Sequence, residues 1–379
     1  MMHNMCILHI NSNYLFTKIY ENQLDYMNKE FQNLIFSPLR VNLNQINSKY
    51  QIYAPKIITK KDSVFSILRR NKSFNYLKNN INFNKVKLVH AHSLTNDGLL
   101  ANMIYEKYKI PFILTIRNTD VNFSFKYKKH LKKAYKKSII NSSLIIFPNY
   151  SYKKRVIEFF KNDVQILNKI NDSIVIPNGI DNFWHENKKV KKKKKPEFKK
   201  LNLLFIGRIY KEKNIHRILE AIKKINQENQ IYVTLTIIGE VIDKQYFNKI
   251  KDIYKFNYLG KLDKYEIVKV MEQNDIFIMP SINETFGLVF IEALSQNLPI
   301  IYTKNEGIDG YFKNKFFGER AIPKSIESIS NSIMDTYKNY DQYQENLENK
   351  EFLDNFKWQE ISSKYNLIYK QTINLDKNK

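Results

Sequence analysis

Two glutamates flank the start of a predicted helix in residues 274–302 (NDIFIMPSINETFGLVFIEALSQNLPIIY). A buried strand is predicted to end at Pro280, Glu284 follows in a polar loop, and Glu292 lies among apolar residues of the helix. A carboxylate in such surroundings is costly unless it accepts hydrogen bonds, and sugar hydroxyls are suitable donors. The free amides at the start of the helix favour a phosphate, and they belong to Phe286, Gly287 and Leu288. The competing interpretation is a helix-start carboxylate at 284 and a solvated one at 292.

A second group of residues follows the strand predicted within residues 201–213 (LNLLFIGRIYKEK). The strand runs into Gly207, after which come Arg208 and, five residues on, Lys213. Arginine offers a planar fork and lysine a movable point charge, so together they could neutralise a departing diphosphate. In a chain this rich in lysine, ordinary surface cations are an equally good interpretation of these two residues taken alone.

The spacings of common metal sites are missing from the sequence. No HExxH, CxxC or DxD stands at a predicted strand end, so we expect neither a metal ion nor another cofactor. A covalent nucleophile of the Ser/His/Asp kind is not predicted either.

Length and composition exclude several classes of protein. At roughly 150 residues per domain, the 379 residues predict two domains. A hydrophobic content of 43% supports folded cores and argues against wholesale disorder. A single cysteine, Cys6, indicates a reducing compartment. Without a secretory signal or an 18-residue apolar run, the expected location is the cytoplasm.

Basic residues are concentrated in the first half of the chain. The net charge of +25 divides into +17 for residues 1–185, +7 for residues 186–200 and +1 for residues 201–379. The Lys-rich stretch at 188–200 is expected to be solvated because its charges are costly to bury. We therefore predict a first domain at 1–185, a linker at 186–200, a second domain at 201–355, and a closing helix with a tail at 356–379. The basic first domain is expected to meet an anionic partner.

Short apolar runs alternate with helix-length segments on both sides of this linker. Runs without polar alternation are typical of strands buried on both faces of a parallel sheet. The sequence therefore predicts an α/β fold with two doubly wound, Rossmann-like domains that face each other across a cleft, with ligands beyond the carboxyl ends of the strands. The predicted strands are 6–11, 34–37, 88–92, 112–116, 144–147, 174–177, 203–206, 233–238, 256–259, 276–279 and 299–302.

Taken together, these motifs resemble those of the family 4 glycosyltransferases, which are retaining, nucleotide-sugar-dependent enzymes of the GT-B fold. The shared features are Gly207-Arg208 followed by Lys213, the glutamates at 284 and 292, ETFG at 284–287 and IPNGID at 176–181. Looser matches occur at 90–98 (HAHSLTNDG), 111–122 (PFILTIRNTDVN) and 356–369 (FKWQEISSKYNLIY).

The resemblance implies an activity and a set of roles. Sugar would pass from a UDP- or GDP-sugar to a carbohydrate or lipid-linked acceptor, in bacterial surface polysaccharide or glycolipid synthesis. Arg208 and Lys213 would bind the donor diphosphate, Glu292 the ribose, and Glu284 with the 286–288 backbone the transferred sugar. The closing helix would cross back to pack on the first domain. The base, the sugar, the acceptor and the oligomeric state are left open.

In the first domain the resemblance adds Asp120 and His92 to the catalytic candidates. Many relatives carry a Gly-rich turn where this chain has NSNY at 11–14, and a histidine where it has Arg117. His90 and His92 match the family's HxH. Because side chains alternate along a strand, only one of the two is expected to face the cleft, and we favour His92.

Residues 123–140 (FSFKYKKHLKKAYKKSII) interleave lysines with aromatic and aliphatic residues. On a helix, one face would carry Tyr127, Leu131, Ala134 and Tyr135. Such a face suits docking on an anionic membrane, which would make the protein peripheral on the inner face of the cell membrane. A solvated helix is the alternative interpretation.

Two other functions fit part of the sequence. A charge of +25 with 14% aromatic residues resembles the footprint of a nucleic-acid-binding protein. No RRM, KH, zinc-finger or helix-turn-helix signature accompanies it, so we expect no nucleic-acid partner. A sugar-nucleotide epimerase or a phosphorylase of the same fold is the enzymatic alternative.

Overall fold

The computed structural model describes residues 5–42, 48–59, 61–64, 66–189, 191–196, 200–228, 231–312 and 316–377. The chain divides into two compact units. Unit 1 comprises Met1–Gly179 and Trp358–Lys379, and unit 2 comprises Ile180–Lys357.

Unit 1 is built on a parallel sheet. Its strands are β1 (Met5–Ile10), β2 (Phe31–Phe36), β3 (Gln51–Tyr53), β4 (Val86–Ala91), β5 (Phe112–Thr115), β6 (Leu144–Phe147) and β7 (Ile174–Val175). Among the described residues they form one seven-stranded sheet in the order β3-β2-β1-β4-β5-β6-β7. The direction of winding reverses at β1, which pairs with β2 on one side and β4 on the other.

Helices cover both faces of this sheet. Leu8 and Ile10 of β1 pack in one hydrophobic cluster and Ile7 in another, as the alternation of side chains along a strand requires. The helices that follow the strands are α1 (Ile19–Asp25), α2 (Lys61–Val64), α3 (Ser66–Asn80), α4 (Leu99–Tyr108), α5 (Phe125–Tyr127), α6 (Lys132–Asn141), α7 (Tyr150–Phe159) and α8 (Val164–Asn171).

Unit 2 repeats this plan with six strands in the described residues. They are β8 (Lys200–Ile206), β9 (Tyr232–Ile238), β10 (Asn257–Tyr258), β11 (Ile276–Met279), β12 (Ile300–Thr303) and β13 (Gly318–Ala321), in the parallel order β10-β9-β8-β11-β12-β13. The helices are α9 (Asn182–Glu186), α10 (Ile215–Gln227), α11 (Lys244–Lys251), α12 (Lys264–Glu272), α13 (Leu288–Ser295), α14 (Ile326–Lys338) and α15 (Tyr340–Glu348). The predicted α/β fold with two doubly wound parallel sheets is confirmed.

The helix α16 (Trp358–Lys377) belongs to unit 1. Its apolar face lies in the same cluster as Ile7 of β1, and Ser362 Oγ donates a 2.7 Å hydrogen bond to the carbonyl of Gln23. Gly179 packs so closely on Trp358 that a Cβ there would lie 2.6 Å from the indole ring. At 20 residues α16 is the longest described helix, yet no described helix is both long and apolar enough to cross a membrane.

The first segment of unit 1 ends at Gly179, whereas the first domain was predicted to end at residue 185 and the second to begin at residue 201. The Lys-rich stretch between them belongs to unit 2 and makes hydrogen bonds to it. The amide of Lys189 donates to Ser295 O at 2.9 Å, and the ammonium of Lys193 donates to Met271 O at 2.7 Å. A lysine that caps the last carbonyls of a helix, here α12, neutralises the negative end of its dipole. Burial lowers the pKa of Lys193 to about 8. Residues 190 and 197–199 of the predicted linker lie outside the described residues.

The apolar face predicted for residues 123–140 belongs mostly to the core of unit 1. Leu131 and Tyr135 are 8% and 0% exposed and pack in the main cluster of that unit. The prediction that they dock on a membrane is therefore wrong, because filling the core leaves nothing of their side chains for a partner. Tyr127 and its neighbour Phe123 do stay outside, at 61% and 53% exposure.

Candidate functional site

Two loops at the carboxyl edge of the unit 2 sheet meet backbone to backbone. The amide of Gly207, just after β8, donates to Ile238 O at 2.9 Å. At Gly239 φ is +145°, and a Cβ there would lie 2.0 Å from the carbonyl oxygen of Gly207. Only glycine fits this close approach. The exposed side chain of Arg208 follows directly, with its guanidinium 5.9 Å from the centre of the Tyr210 ring.

Lys213 is held at the same edge by its neighbour Asn214. The buried Asn214 has φ +63° and donates from its side-chain amide to Pro280 O at 3.0 Å. The amide of Ile282 donates to Glu212 O at 2.8 Å. These hydrogen bonds join the loop after β8 to the loop after β11, so residues about 70 positions apart become neighbours.

Lys213 and Glu284 form an ion pair where those loops meet. The Nζ–Oε2 distance is 2.8 Å, and the side chains are 15% and 14% exposed. The other carboxylate oxygen of Glu284 accepts a hydrogen bond from the amide of Thr285 at 3.1 Å. Because the pair is mostly shielded from water, its charges interact more strongly than those of a surface salt bridge.

Helix α13 begins beside this pair with its first amides unused. At Gly287, the N-cap, φ is +76°, and a Cβ there would lie 2.5 Å from the ring of Phe290. Within the described residues, no acceptor receives a hydrogen bond from the amides of residues 286–288. The positive end of the helix dipole and these free donors make the loop suited to an anionic or hydroxylated ligand.

Glu292 lies further along α13, and burial and a different set of charged neighbours shift the pKa of its carboxyl. Burial raises the pKa of its carboxyl to about 7, with Lys264 acting to lower it and Asp181 to raise it. Those two residues pair with each other. No side chain in the described part of the molecule donates a hydrogen bond to the Glu292 carboxyl, which leaves it able to accept one from a ligand.

Asp120 is buried in unit 1 and ties together the loops after β4 and β5. Its carboxylate accepts hydrogen bonds from the amides of Leu94 (2.8 Å), Thr95 (2.9 Å) and Arg117 (3.0 Å). Burial raises its pKa, and these amides act in the opposite direction. With both oxygens occupied, Asp120 holds the two loops in place.

His90 and His92 lie side by side, so the prediction that side-chain alternation lets only one of them face the cleft is wrong in its reasoning. Their ring centroids are 4.0 Å apart, because residues two apart on a strand point to the same face. His90 contacts Tyr369 Oη at 2.6 Å and Thr115 Oγ1 at 2.8 Å. Burial lowers the pKa of both rings well below the usual value for histidine, so both are neutral at pH 7.

His9 completes a cluster of three imidazoles with His90 and His92. Their ligand nitrogens lie within 4.8 Å of one another, the only such group in the described residues with a spacing that could hold a metal ion. Five of the six ring nitrogens are already engaged. His9 Nδ1 lies 3.1 Å from His92 Nε2, His9 Nε2 lies 2.9 Å from Asn33 Oδ1, and both nitrogens of His90 have the contacts given above. A metal would have to displace these hydrogen bonds. Metal independence stays a prediction.

Two residues of this part of unit 1 were not predicted. His9 lies opposite His90 in the register of β1 and β4, and that neighbourhood depends on strand order. Asp97 is 2% exposed and accepts hydrogen bonds from Ser12 Oγ at 2.6 Å and Ser93 Oγ at 2.9 Å. Burial raises its pKa to about 6. Asp97 lies within HAHSLTNDG, one of the looser matches to the family, and that position could have identified it as a candidate.

Residues 186–352 match the family model for glycosyl transferases group 1. Among curated proteins, the chain is 27% identical over 285 residues to the UDP-Gal:alpha-D-GlcNAc-diphosphoundecaprenol alpha-1,3-galactosyltransferase of Escherichia coli, over 71% of each chain. It is 30% identical over 271 residues to an uncharacterized 41.2 kDa protein in the cps region of Klebsiella pneumoniae, over 65% of this chain and 69% of that one. Alignments with eight curated relatives span 59% to 78% of their length.

Solved structures share the fold over nearly the whole chain. Sucrose-phosphate synthase from Thermosynechococcus elongatus aligns with 97% of this chain and 98% of its own, with a TM-score of 0.69 and 14% identity. At that identity the likeness concerns architecture alone.

Proposed function

The chain belongs to the glycosyl transferases group 1 family and is a glycosyltransferase, and we propose that it transfers a sugar with retention of configuration from a nucleotide-sugar donor to a carbohydrate or lipid-linked acceptor. The observation that carries this proposal is the 2.8 Å contact between Lys213 and Glu284 beside the free amides of α13. It unites a cation, a carboxylate and backbone donors at the carboxyl edge of a doubly wound sheet, where ligands of such folds bind.

In the proposed reaction Lys213 and Arg208 bind the donor diphosphate. The bond between the anomeric carbon and the diphosphate oxygen breaks, and a bond to the acceptor oxygen forms on the same face. The acceptor proton passes to the departing diphosphate. Negative charge therefore develops on the diphosphate in the transition state, where fixed cations contribute most to rate.

The remaining proposed roles concern the sugar and the ribose. Glu284 accepts hydrogen bonds from sugar hydroxyls, and the amides of residues 286–288 donate to the sugar or the diphosphate. Glu292 accepts hydrogen bonds from the ribose. Its carboxyl accepts no hydrogen bond from the described residues, although Lys264 and Asp181 act on its pKa, and this supports a ligand as the missing donor.

A lipid-linked acceptor in bacterial surface glycan synthesis is the proposed biological setting. The E. coli relative is named as acting on a diphosphoundecaprenol-linked sugar, which supports this choice.

The exposed pair Phe123 and Tyr127, with Lys126 5.0 Å from the Tyr127 ring centre, is the proposed contact with an anionic membrane on the cytoplasmic side. Flotation with anionic and neutral liposomes at low and high salt tests this contact. A Phe123→Ser/Tyr127→Ser variant that floats like the wild type would contradict it.

The two alternative functions are not favoured by the family match. Nucleic-acid binding has no use for a shielded Lys–Glu pair at a sheet edge, and no described feature favours an epimerase or a phosphorylase over transfer.

A direct test of the proposed function is to incubate the full chain with UDP- and GDP-sugars and a panel of acceptors. We expect release of nucleoside diphosphate with one class of donor and an α-linked product from an α-linked donor, seen as the anomeric proton coupling by NMR. Inversion of configuration, or no turnover and no donor-induced thermal shift with any nucleotide sugar, would refute the proposal.

A further inference from the structure

One face of the unit 2 sheet is open and polar at the amino ends of β8 and β9. Parallel sheets are normally covered on both faces, which makes their strands apolar throughout. In β9, Val233 and Leu235 pack in the core. Tyr232, Thr234 and Thr236 point to the other face and are exposed or only partly buried. A cavity of about 400 Å³ lies on that face, and its polar and charged lining includes Lys200, Asn202, Thr234, Thr236, Lys255 and Asn257.

A second cavity adjoins the first beside the edge strand β10. It has a volume of about 280 Å³ and shares Lys255 and Phe256 with the first cavity. It adds Lys251 and the rings of Phe247 and Tyr258, whose centroids are 4.8 Å apart. We call the two cavities together the amino-edge groove. Because β8 has seven residues, the groove begins about 20 Å from the donor loop at the other end of that strand.

The amino-edge groove carries positive charge without negative charge. Lys200, Lys251 and Lys255 line it, and no acidic side chain does. Within the part of the chain that the structure describes, none of the three lysines pairs with a carboxylate. Asp275, which is close enough to interact with Lys200, lies outside the groove and accepts a hydrogen bond from the amide of Asn202 at 2.8 Å. An anionic partner would therefore complement the groove.

Hydroxyl and amide groups add hydrogen-bonding capacity on the sheet side of the groove. Thr234 Oγ1 donates to Asn202 Oδ1 at 2.9 Å, which links the side chains of two neighbouring strands. The hydroxyl of Thr236 and the side-chain amide of Asn257 have no hydrogen-bond partner among the described residues. Both groups can donate and accept, as the hydroxyls of a sugar can, so they match a hydroxylated ligand.

Aromatic rings supply the apolar part of the lining. Tyr232 is 41% exposed. Lys255 Nζ lies 5.3 Å from the centre of the Tyr232 ring, and Lys251 Nζ lies 4.7 Å from that of Phe247. A nucleobase needs an open ring face on which to stack, and here ammonium groups lie over the rings. An acidic sugar can pair with the ammonium group and pack its C–H groups beside the ring.

The edge of β9 is closed to an added peptide strand. The side chain of Asn226 donates to Val233 O at 2.9 Å and accepts from the amide of Val233 at 2.7 Å. Further along, β10 pairs with Thr236 and Ile237. A peptide that extends a sheet needs free backbone groups at a strand edge, so the chemistry of the groove favours a glycan over a peptide.

We propose that the amino-edge groove binds an acidic oligosaccharide, with its carboxylate or phosphate groups on Lys200, Lys251 and Lys255 and its hydroxyls on Thr236 and Asn257. The groove is separate from the donor-binding loops, so binding there does not require turnover. Its use, to keep the enzyme close to an acidic surface glycan, rests on the proposed function.

The test is titration calorimetry of the full chain at physiological salt with three ligands. These are tetragalacturonate as the acidic oligosaccharide, maltotetraose as a neutral one of equal length, and a short oligouridylate. We expect tetragalacturonate to bind at least about tenfold more tightly than maltotetraose, because its carboxylates form charge-assisted contacts with the lysines. We also expect it to bind more tightly than oligouridylate.

Matched variants localise the binding. Lys251→Ala/Lys255→Ala is expected to weaken tetragalacturonate binding about tenfold, since two ion pairs are lost. Lys244→Ala/Lys249→Ala is the control of equal charge, because both are exposed lysines of α11 outside the groove. Thr236→Val, which keeps charge and shape but loses the hydroxyl, should weaken binding about threefold or more. The thermal shift caused by UDP or GDP should be the same in all these proteins, which shows that they are folded.

Three results would overturn the proposal. One is a wild-type protein that responds to a nucleotide but does not bind tetragalacturonate. Another is an equal loss in the two double-lysine variants, which would mean a general attraction to the net charge. The third is tighter binding of oligouridylate that Lys251→Ala/Lys255→Ala weakens, which would make the groove a nucleic-acid site. Failure of every nucleotide to bind the wild type would instead count against the proposed function.

Discussion

The Nζ atom of Lys213 lies 2.8 Å from Oε2 of Glu284, across 71 positions of sequence. Each residue is therefore the electrostatic partner of the other until a ligand enters. Replacing Lys213 by alanine removes a cation from the proposed diphosphate site, and we expect turnover to fall by about 10²–10³-fold, as for loss of one transition-state donor. Steady-state assays of nucleoside diphosphate release measure the loss. Lys211→Ala, an exposed lysine of the same loop, should stay near wild-type activity. Equal activity of the Lys213→Ala and Lys211→Ala variants would show that Lys213 has no role in the reaction.

Arg208 is exposed and forms no ion pair within the described residues, so its removal is not expected to affect folding. The Arg208→Ala variant should melt within a few degrees of the wild type and lose about 10²-fold or more in kcat if its guanidinium binds the departing diphosphate. Arg208→Lys should recover part of that loss, because charge is kept but the fork is not. A raised KM with unchanged kcat would instead indicate that Arg208 only binds the donor.

Glu292 should make both stability and donor binding depend on pH near neutrality. Burial raises its pKa from 4.5 to about 7, so the folded state holds the proton more tightly than the unfolded state. The corresponding stability is complete below pH 4.5 and is lost as the pH rises towards and through 7. Glu292→Gln should abolish this pH dependence. The melting temperature of the variant should therefore rise relative to that of the wild type as the pH increases from about 5 to 8.

Donor affinity should follow the opposite trend. The ionised carboxylate is the better acceptor for ribose hydroxyls, so binding by the wild type should strengthen from about pH 6 to 8, and Glu292→Gln should bind more weakly with less dependence on pH. Parallel pH profiles for the two proteins, in both melting and nucleotide binding, would contradict this assignment.

Gly287 is required for two separable reasons. An alanine at φ +76° pays the left-handed penalty of about 1–2 kcal/mol, and its Cβ would also meet the Phe290 ring at 2.5 Å. Gly260 has a similar φ of +72°, yet a Cβ added there would have nothing within 4 Å. Gly287→Ala should therefore lower the melting temperature more than Gly260→Ala and weaken donor binding through displaced amides. Equal destabilisation would mean that the ring moves aside freely.

Activity is expected to survive removal of metal ions. The imidazoles of His9, His90 and His92 already hydrogen-bond among themselves and with their neighbours, and the donor site is proposed to use cations of the chain. Dialysis against EDTA should leave turnover unchanged, and added Mg²⁺, Mn²⁺ or Zn²⁺ should not raise it. A loss of turnover that one of these ions restores would indicate that the three histidines bind a metal ion.

The strands that could be predicted are those buried on both faces. Residues 276–279 and 144–147 are apolar throughout, and both predicted ranges agree with β11 and β6. The strands missed are β3 and β13, which lie at the edges of their sheets. β3 (QIY) is only three residues long, and β13 (GERA) carries two charged residues. An edge strand is buried on fewer sides, so its composition carries less of the pattern that marks a strand.

Local motifs predicted that Lys213 and Glu284 come together, because each lies in the loop that follows an apolar strand and parallel strands end at one edge of a sheet. His9 was missed for a different reason. Whether His9 meets His90 depends on β1 and β4 being neighbours, and the order of strands in a sheet is not written in any one segment. Burial of Lys193 was missed similarly, since the carbonyls that it caps belong to residues about 80 positions away.

Helix α16 supplies Tyr369 to His90, 279 positions earlier in the chain. During synthesis, unit 1 therefore cannot complete its fold until α16 has left the ribosome, which happens after all of unit 2 has been made. Until then the strands of unit 1 expose the apolar surface that α16 will cover, which makes the nascent first half a natural client for chaperones. A stop codon introduced before residue 358 would be expected to yield a chain that aggregates even though both sheets are fully encoded.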